Sequence, residues 1–242
     1  MSNLWTYLNP LLFGVLPYVV LFLFFLVSIL RYRTQPFTYS SLSSQFLENR
    51  LHFWATVPFH YGIMIVLAGH LVAFLIPRQI LLWNSNPLRL AVLEGAALIC
   101  GLLTLIGLAA AMLRRLTVAK VSRVTSGGDW VLYAMLLFQV ASGVGIALCY
   151  RWGSSWYAGV AAPYLWSIAA LHPRVELIAP LPWLVKLHVV DAYALIGFFP
   201  FTRLVHSLVM PNPYLWRKPQ VVRWYRNPGT AESAPGREIP QR

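Results

Sequence analysis

The chain has 242 residues, of which 58% are hydrophobic and only 11% charged. A soluble domain carries about 25% charge, so this composition excludes one and reads as a polytopic membrane protein. The net charge of +12 does not indicate nucleic acid: the basic residues fall between apolar runs, without a zinc-finger, helix-turn-helix or aromatic-basic pattern.

Apolar runs of about 20 residues, enough to cross a bilayer core as a helix, recur along the chain. The expected fold class is therefore all-α, a bundle of five transmembrane helices. The first span is expected over about Leu11 to Leu30, closed by Arg31-Tyr-Arg33. No basic region or small-residue cleavage site marks it as a signal peptide, so it reads as retained. The second covers about Phe53 to Ile76 and stops at Pro77, and the third runs from Leu88 to Leu113, closed by Arg114 and Arg115. The fourth starts after Ser126-Gly-Gly-Asp129 and reaches Tyr150, and the fifth runs from Trp183 to Val209.

Residues 151–182, rich in Trp, Tyr and Pro, suggest a helix on the outer membrane surface. Residues 1–226 form one membrane domain, and the polar, Pro- and Gly-rich stretch 227–242 reads as a disordered tail. Cys100 and Cys149 occur without a C-x-x-C pattern and read as small core residues.

Orientation follows from the basic residues in the connections. Arg31, Arg33, Arg50, Arg114, Arg115, Lys120, Arg123 and six residues of the tail lie on one side, against Arg78, Arg89, Arg151, Arg174 and Lys186 on the other. Thirteen against five places the N-terminus outside and the C-terminus in the cytoplasm.

Four histidines lie inside apolar spans, His60 and His70 in the second, His188 and His206 in the fifth. An ionisable ring in hydrocarbon is costly and is retained where it has a partner. Because the two spans run in opposite directions, depth pairs His70 with His188 near the outside and His60 with His206 near the cytoplasm. His188 and His206 are 18 residues apart, five whole turns of one helix, with a rise of about 27 Å. His60 and His70 are ten apart, with a rise of only about 15 Å. The kink expected at Pro200 is one way to absorb that mismatch.

The pattern is that of two haems stacked across the bilayer, each iron taking one imidazole from each helix. A single zinc site is a poorer fit, since these rings are too far apart for one tetrahedron. Gly62, Gly69 and Gly197 suit either close approach of a macrocycle or helix–helix packing. His52 reads as interfacial, and His172 as an outer-loop residue.

The stretches RYRTQPFTYSSLSSQFLENR, FHYGIMIVLAGH, VTSGGD and KLHVVDAYALIGFFPFTRLVH carry a family resemblance. Over about residues 10–225 the chain resembles the gamma subunit of respiratory nitrate reductase, a membrane di-haem cytochrome b. The resemblance implies five spans in the bacterial inner membrane, with the N-terminus outside and the C-terminus in the cytoplasm. It also implies two b haems, the outer held by His70 and His188 and the inner by His60 and His206. Quinol is then oxidised near the outer haem, and electrons pass through the inner one to an iron–sulfur beta subunit and a molybdenum-containing alpha subunit that reduces nitrate. A basic residue near the quinol is implied in the outer connection after the second span, where SNPLRLAV offers Arg89.

Asp191, three residues after His188, is a candidate acceptor for a quinol proton, with Glu94 a weaker one. Arg203, one turn before His206, is a candidate partner for a propionate of the inner haem, or else snorkels to the interface. The basic inner loop and tail suit anionic lipid or a docking subunit. Two other readings stand beside this one: a di-haem quinol cytochrome serving a sulfur-compound reductase or nitrite-oxidising complex, and a haem-free transporter or scaffold.

Overall fold

The computed structural model describes residues 7–35, 38, 47 and 50–208. The expected tail, the domain boundary at 226 and most of the first inner connection lie outside the described residues. Among the described residues there is no strand, and five helices are long and apolar enough to span a membrane. They match the expected spans in number and order, with the fifth shorter than expected.

Helix α1 (Leu16–Thr34) follows a π-helical turn over Leu11–Val15. Helix α2 (Arg50–Leu75) carries an internal Pro58 and ends where Pro77 cannot continue the hydrogen-bond ladder. Pro77 instead opens α3 (Pro77–Asn84), a short helix that follows α2. Helix α4 (Pro87–Thr117) is capped by Asn86, whose side chain accepts from the amides of Leu88 and Arg89 at 3.0 and 3.2 Å. That cap satisfies two of the amides a helix start leaves unpaired. A short α5 (Ala119–Arg123) leads to α6 (Gly127–Cys149). The SGGD motif is a capping box: Ser126 Oγ accepts from the Asp129 amide at 3.2 Å, and Asp129 Oδ2 accepts from the Ser126 amide at 2.9 Å.

The 151–182 segment, expected on the outer surface, comprises α7 (Gly153–Trp156), a π turn over Tyr157–Ala161, α8 (Ala162–Ala169) and α9 (Val175–Ile178). It is not simply a surface helix. Tyr164 and Ile168 are buried with Phe13, Val20, Ile178 and Tyr193 in one apolar cluster. Tyr164 donates to the Phe13 carbonyl at 2.8 Å and accepts from Tyr193 at 2.9 Å. Burial pushes the Tyr164 phenol up to about 12, so it keeps its proton at any physiological pH. At the turn into α7, Trp152 takes a left-handed conformation (φ 64°, ψ 42°), and Glu94 pins it by accepting from Ser154 N and Oγ at 2.7 and 2.6 Å.

Helices pack in the order α2, α4, α6, α10, α1, where α10 is Trp183–Phe198. The α2–α4 seam is made close by small residues. A Cβ on Gly107 would stand 2.5 Å from the Phe59 amide nitrogen and 2.8 Å from the Ala55 carbonyl, and one on Gly62 would collide with Thr104 and the Cys100 carbonyl. Gly197 packs on Val20 of α1 in the same way, whereas Gly69 meets nothing within 4 Å. Gly62 and Gly197 therefore serve helix packing.

Two expectations are corrected. The fifth span does not run as one helix to Val209: α10 ends at Phe198, a 3₁₀ turn covers Phe199–Phe201, and Thr202 is extended (φ −110°, ψ 177°). A second 3₁₀ stretch, Arg203–Leu208, carries His206. Pro200 has no amide proton to continue the ladder, so the five-turn phase and the 27 Å rise do not apply. The cysteines are not core residues either: Cys149 is exposed and Cys100 only partly buried.

Candidate di-haem site

His60, His70, His188 and His206 share one feature of hydrogen bonding. His60 Nδ1 meets the Thr56 carbonyl at 2.8 Å, His70 Nδ1 the Val66 carbonyl at 2.8 Å, and His206 Nδ1 the Arg203 carbonyl at 2.5 Å. A carbonyl only accepts, so each Nδ1 must carry the proton, and each Nε2 is left with its lone pair. His188 reaches the same tautomer by another route. Ser142 Oγ donates to the Gln139 carbonyl at 3.0 Å and so accepts from His188 Nδ1 at 2.9 Å. The Gln139 side-chain amide donates to His188 Nε2 at 3.2 Å, which again makes that nitrogen an acceptor. An imidazole that ligates iron or zinc needs this arrangement, with the far N–H anchored to fix tautomer and ring orientation.

His52 differs, since both its ring nitrogens lie near Thr56 Oγ1, at 3.3 and 3.5 Å. His172 is exposed in the 151–182 segment.

The helices bearing these rings share almost no packing of their own, because α4 and α6 stand between them in the packing order. Gly143 lets His188 lie against α6: a Cβ there would stand 3.1 Å from His188 Cε1. On the α2 side, Tyr157 sets its ring edge-on to His70 at 5.1 Å and donates to the His70 carbonyl at 3.3 Å. One turn further, Trp166 stacks on Phe74 at 4.9 Å and donates to its carbonyl at 2.9 Å. The 151–182 segment is thus stapled to α2 beside His70.

No group of three or more His, Cys, Asp or Glu side chains gathers at one point among the described residues. Pairs of neutral imidazoles fit axial ligation of a porphyrin, whose other four iron ligands belong to the ring itself. The donor set present fits haem.

Asp191 is partly buried on α10, and its Oδ2 is buried without a hydrogen-bond partner. Arg89 is exposed in the first turn of α4, with its guanidinium 5.2 Å from the Trp83 ring. No contact joins Arg89 and Asp191 among the described residues. Arg203 pairs with buried Asp129 Oδ1 at 3.0 Å and donates to the Val124 carbonyl at 3.1 Å. Glu94 is occupied in capping α7.

Sequence reading missed Gln139, Ser142 and Gly143, although a Gln and a Ser three residues apart inside an apolar span are a visible polar stripe. Lys186 is buried in the first turn of α10 rather than exposed in a connection.

Across residues 9–225 the chain matches the family model described as nitrate reductase gamma subunit. It belongs to that family. The nitrate reductase gamma chain of Bacillus subtilis is 31% identical over 218 residues, covering 89% of this chain and 98% of that one. The respiratory nitrate reductase 2 gamma chain of Escherichia coli K12 is 33% identical over 228 residues, 90% and 97% of the two chains. The nitrate reductase-like protein NarX of Mycobacterium tuberculosis is 32% identical over 225 residues, 87% of this chain and 33% of that longer protein. With five membrane-length helices, this gamma-family chain is a multi-pass protein of the bacterial inner membrane and a subunit of a nitrate reductase.

Proposed function

We propose that the chain is the di-haem cytochrome b subunit through which quinol electrons enter a nitrate reductase. The observation that carries this reading is the shared anchoring of Nδ1 in the four histidines, which leaves Nε2 of His60, His70 and His206 with its lone pair, while Nε2 of His188 accepts from Gln139. His70 and His188 hold the outer haem, and His60 and His206 the inner one, with the N-terminus outside and the C-terminus cytoplasmic. Bound there, two b haems supply one-electron carriage from an outer-side quinol to an iron–sulfur beta subunit, and so to a molybdenum-containing alpha subunit.

The protein's own groups do the rest. Ser142 and Gln139 fix the His188 ring, and Tyr157 braces His70 from outside. Asp191 Oδ2, buried without a donor, is the acceptor for a quinol proton leaving on the outer side. Arg89 and its Trp83 neighbour mark the outer surface where a quinol headgroup approaches. Arg203 belongs to the inner haem's surroundings and anchors the stretch that carries His206. The described basic residues Lys120 and Arg123 lie exposed on the inner face, suited to a docked subunit or anionic lipid.

The test is a reduced-minus-oxidised spectrum of membranes containing the full complex, taken after adding a quinol. A b-type alpha band that rises with quinol, and is diminished in His188→Ala, supports the reading. A quinol-reduced spectrum without a b-type band, or one indifferent to His188→Ala, overturns it.

A further inference from the structure

The inner ligand of the proposed site stands on an unusual stretch of chain. Helix α10 stops at Phe198, Thr202 is extended, and His206 rides on a 3₁₀ turn beyond the break. A proline break does not by itself fix the direction in which the chain leaves the helix. Here the direction is set from two sides. Toward α6, Arg203 holds Asp129 Oδ1 at 3.0 Å and the Val124 carbonyl at 3.1 Å. Toward α1, Arg31 Nη1 donates to the carbonyls of Pro200 at 2.5 Å and Thr202 at 3.2 Å. The same guanidinium uses Nε and Nη2 on Thr38 Oγ1 and the Thr38 carbonyl, at 2.9 and 3.0 Å. All three of its nitrogens are engaged, which orients the planar fork as a single ammonium could not be oriented.

We propose that Arg31 is a positioning residue for the inner haem: by gripping the Pro200 and Thr202 carbonyls at the break, it sets where the His206 imidazole stands. This rests on the reading of His206 as an axial ligand. In sequence, Arg31 is one of the charges that set topology. That role needs only a cation near the inner end of α1, which lysine also supplies. The structure asks for more, since the four bonds come from a rigid fork with three differently aimed nitrogens.

The experiment uses the assembled complex in native membranes and reads each haem separately, by its low-spin electron paramagnetic resonance signal and by redox titration. Arg31→Lys, which keeps the charge, is expected to shift the inner haem's g value and midpoint potential while leaving the outer haem's unchanged. Arg31→Ala is expected to lose the inner haem selectively, with the chain still in the membrane and the outer haem retained. Unchanged inner signals in both variants would overturn the inference, as would equal loss of both haems. His206→Ala, run alongside, separates the two levels: if it keeps the inner haem, the ligand reading itself fails, whatever Arg31 does.

Discussion

A histidine among apolar side chains has two nitrogens to satisfy, and His60, His70, His188 and His206 solve half the problem in the same way. Each sends Nδ1–H to an oxygen of the protein, which leaves Nε2 as the atom with chemistry to do. The residue types are readable in the sequence, because an imidazole in an apolar run stands out. The hydrogen bonds that fix the tautomer are not, since three of the four use backbone carbonyls and leave no side-chain signature. Asp191 is the converse case. Its carboxylate was visible, but the lack of a partner at Oδ2 is a fact of packing. Asp191→Asn keeps the shape and removes the proton acceptor. Quinol-dependent reduction should then slow on the order of 10²-fold, the lower range for losing a general base, with both haem signals intact. Stopped-flow reduction by a quinol measures this, and an unchanged rate would remove Asp191 from proton transfer.

The secondary elements were mostly legible because the bilayer imposes their length, and Pro77, Asn86 and the SGGD box punctuate them. What escaped was the end of the fifth span. Hydropathy continues past Pro200, so a periodicity argument carries the helix to Val209, while the backbone stops at Phe198. The cross-links that make the break useful come from α1 and α6, far away in sequence. The 151–182 segment escaped for a related reason: its aromatic content suggested an interface, whereas Tyr164 is 1% exposed and bridges α10 to the π turn before α1. Close helix approach belongs to this scale too. Gly107→Val would force side-chain carbons into the backbone of α2 at Phe59 and Ala55. Overpacking of this sort costs about 1–3 kcal/mol. A lower thermal midpoint of the detergent-solubilised protein is expected, and since α2 carries His60 and His70, both haems should loosen together. A midpoint equal to the native one would show that the seam yields.

At the level of the whole chain, the packing order α2, α4, α6, α10, α1 sets apart α2, which carries His60 and His70, and α10, which carries His188. Membership of the nitrate reductase gamma family agrees with that architecture. On the proposed reading the site residues would serve haem and quinol, and the chain would carry electrons between a membrane substrate and another polypeptide. The central claim is that iron is held at two depths by two pairs of these rings. Counting haem per purified chain, native and with each of the four histidines changed to alanine, tests it most directly. The account predicts two b haems in the native protein. His70→Ala and His188→Ala should lose the same one, and His60→Ala and His206→Ala the other. Retention of two haems in any of the four variants, or loss of the same haem in all of them, would contradict it.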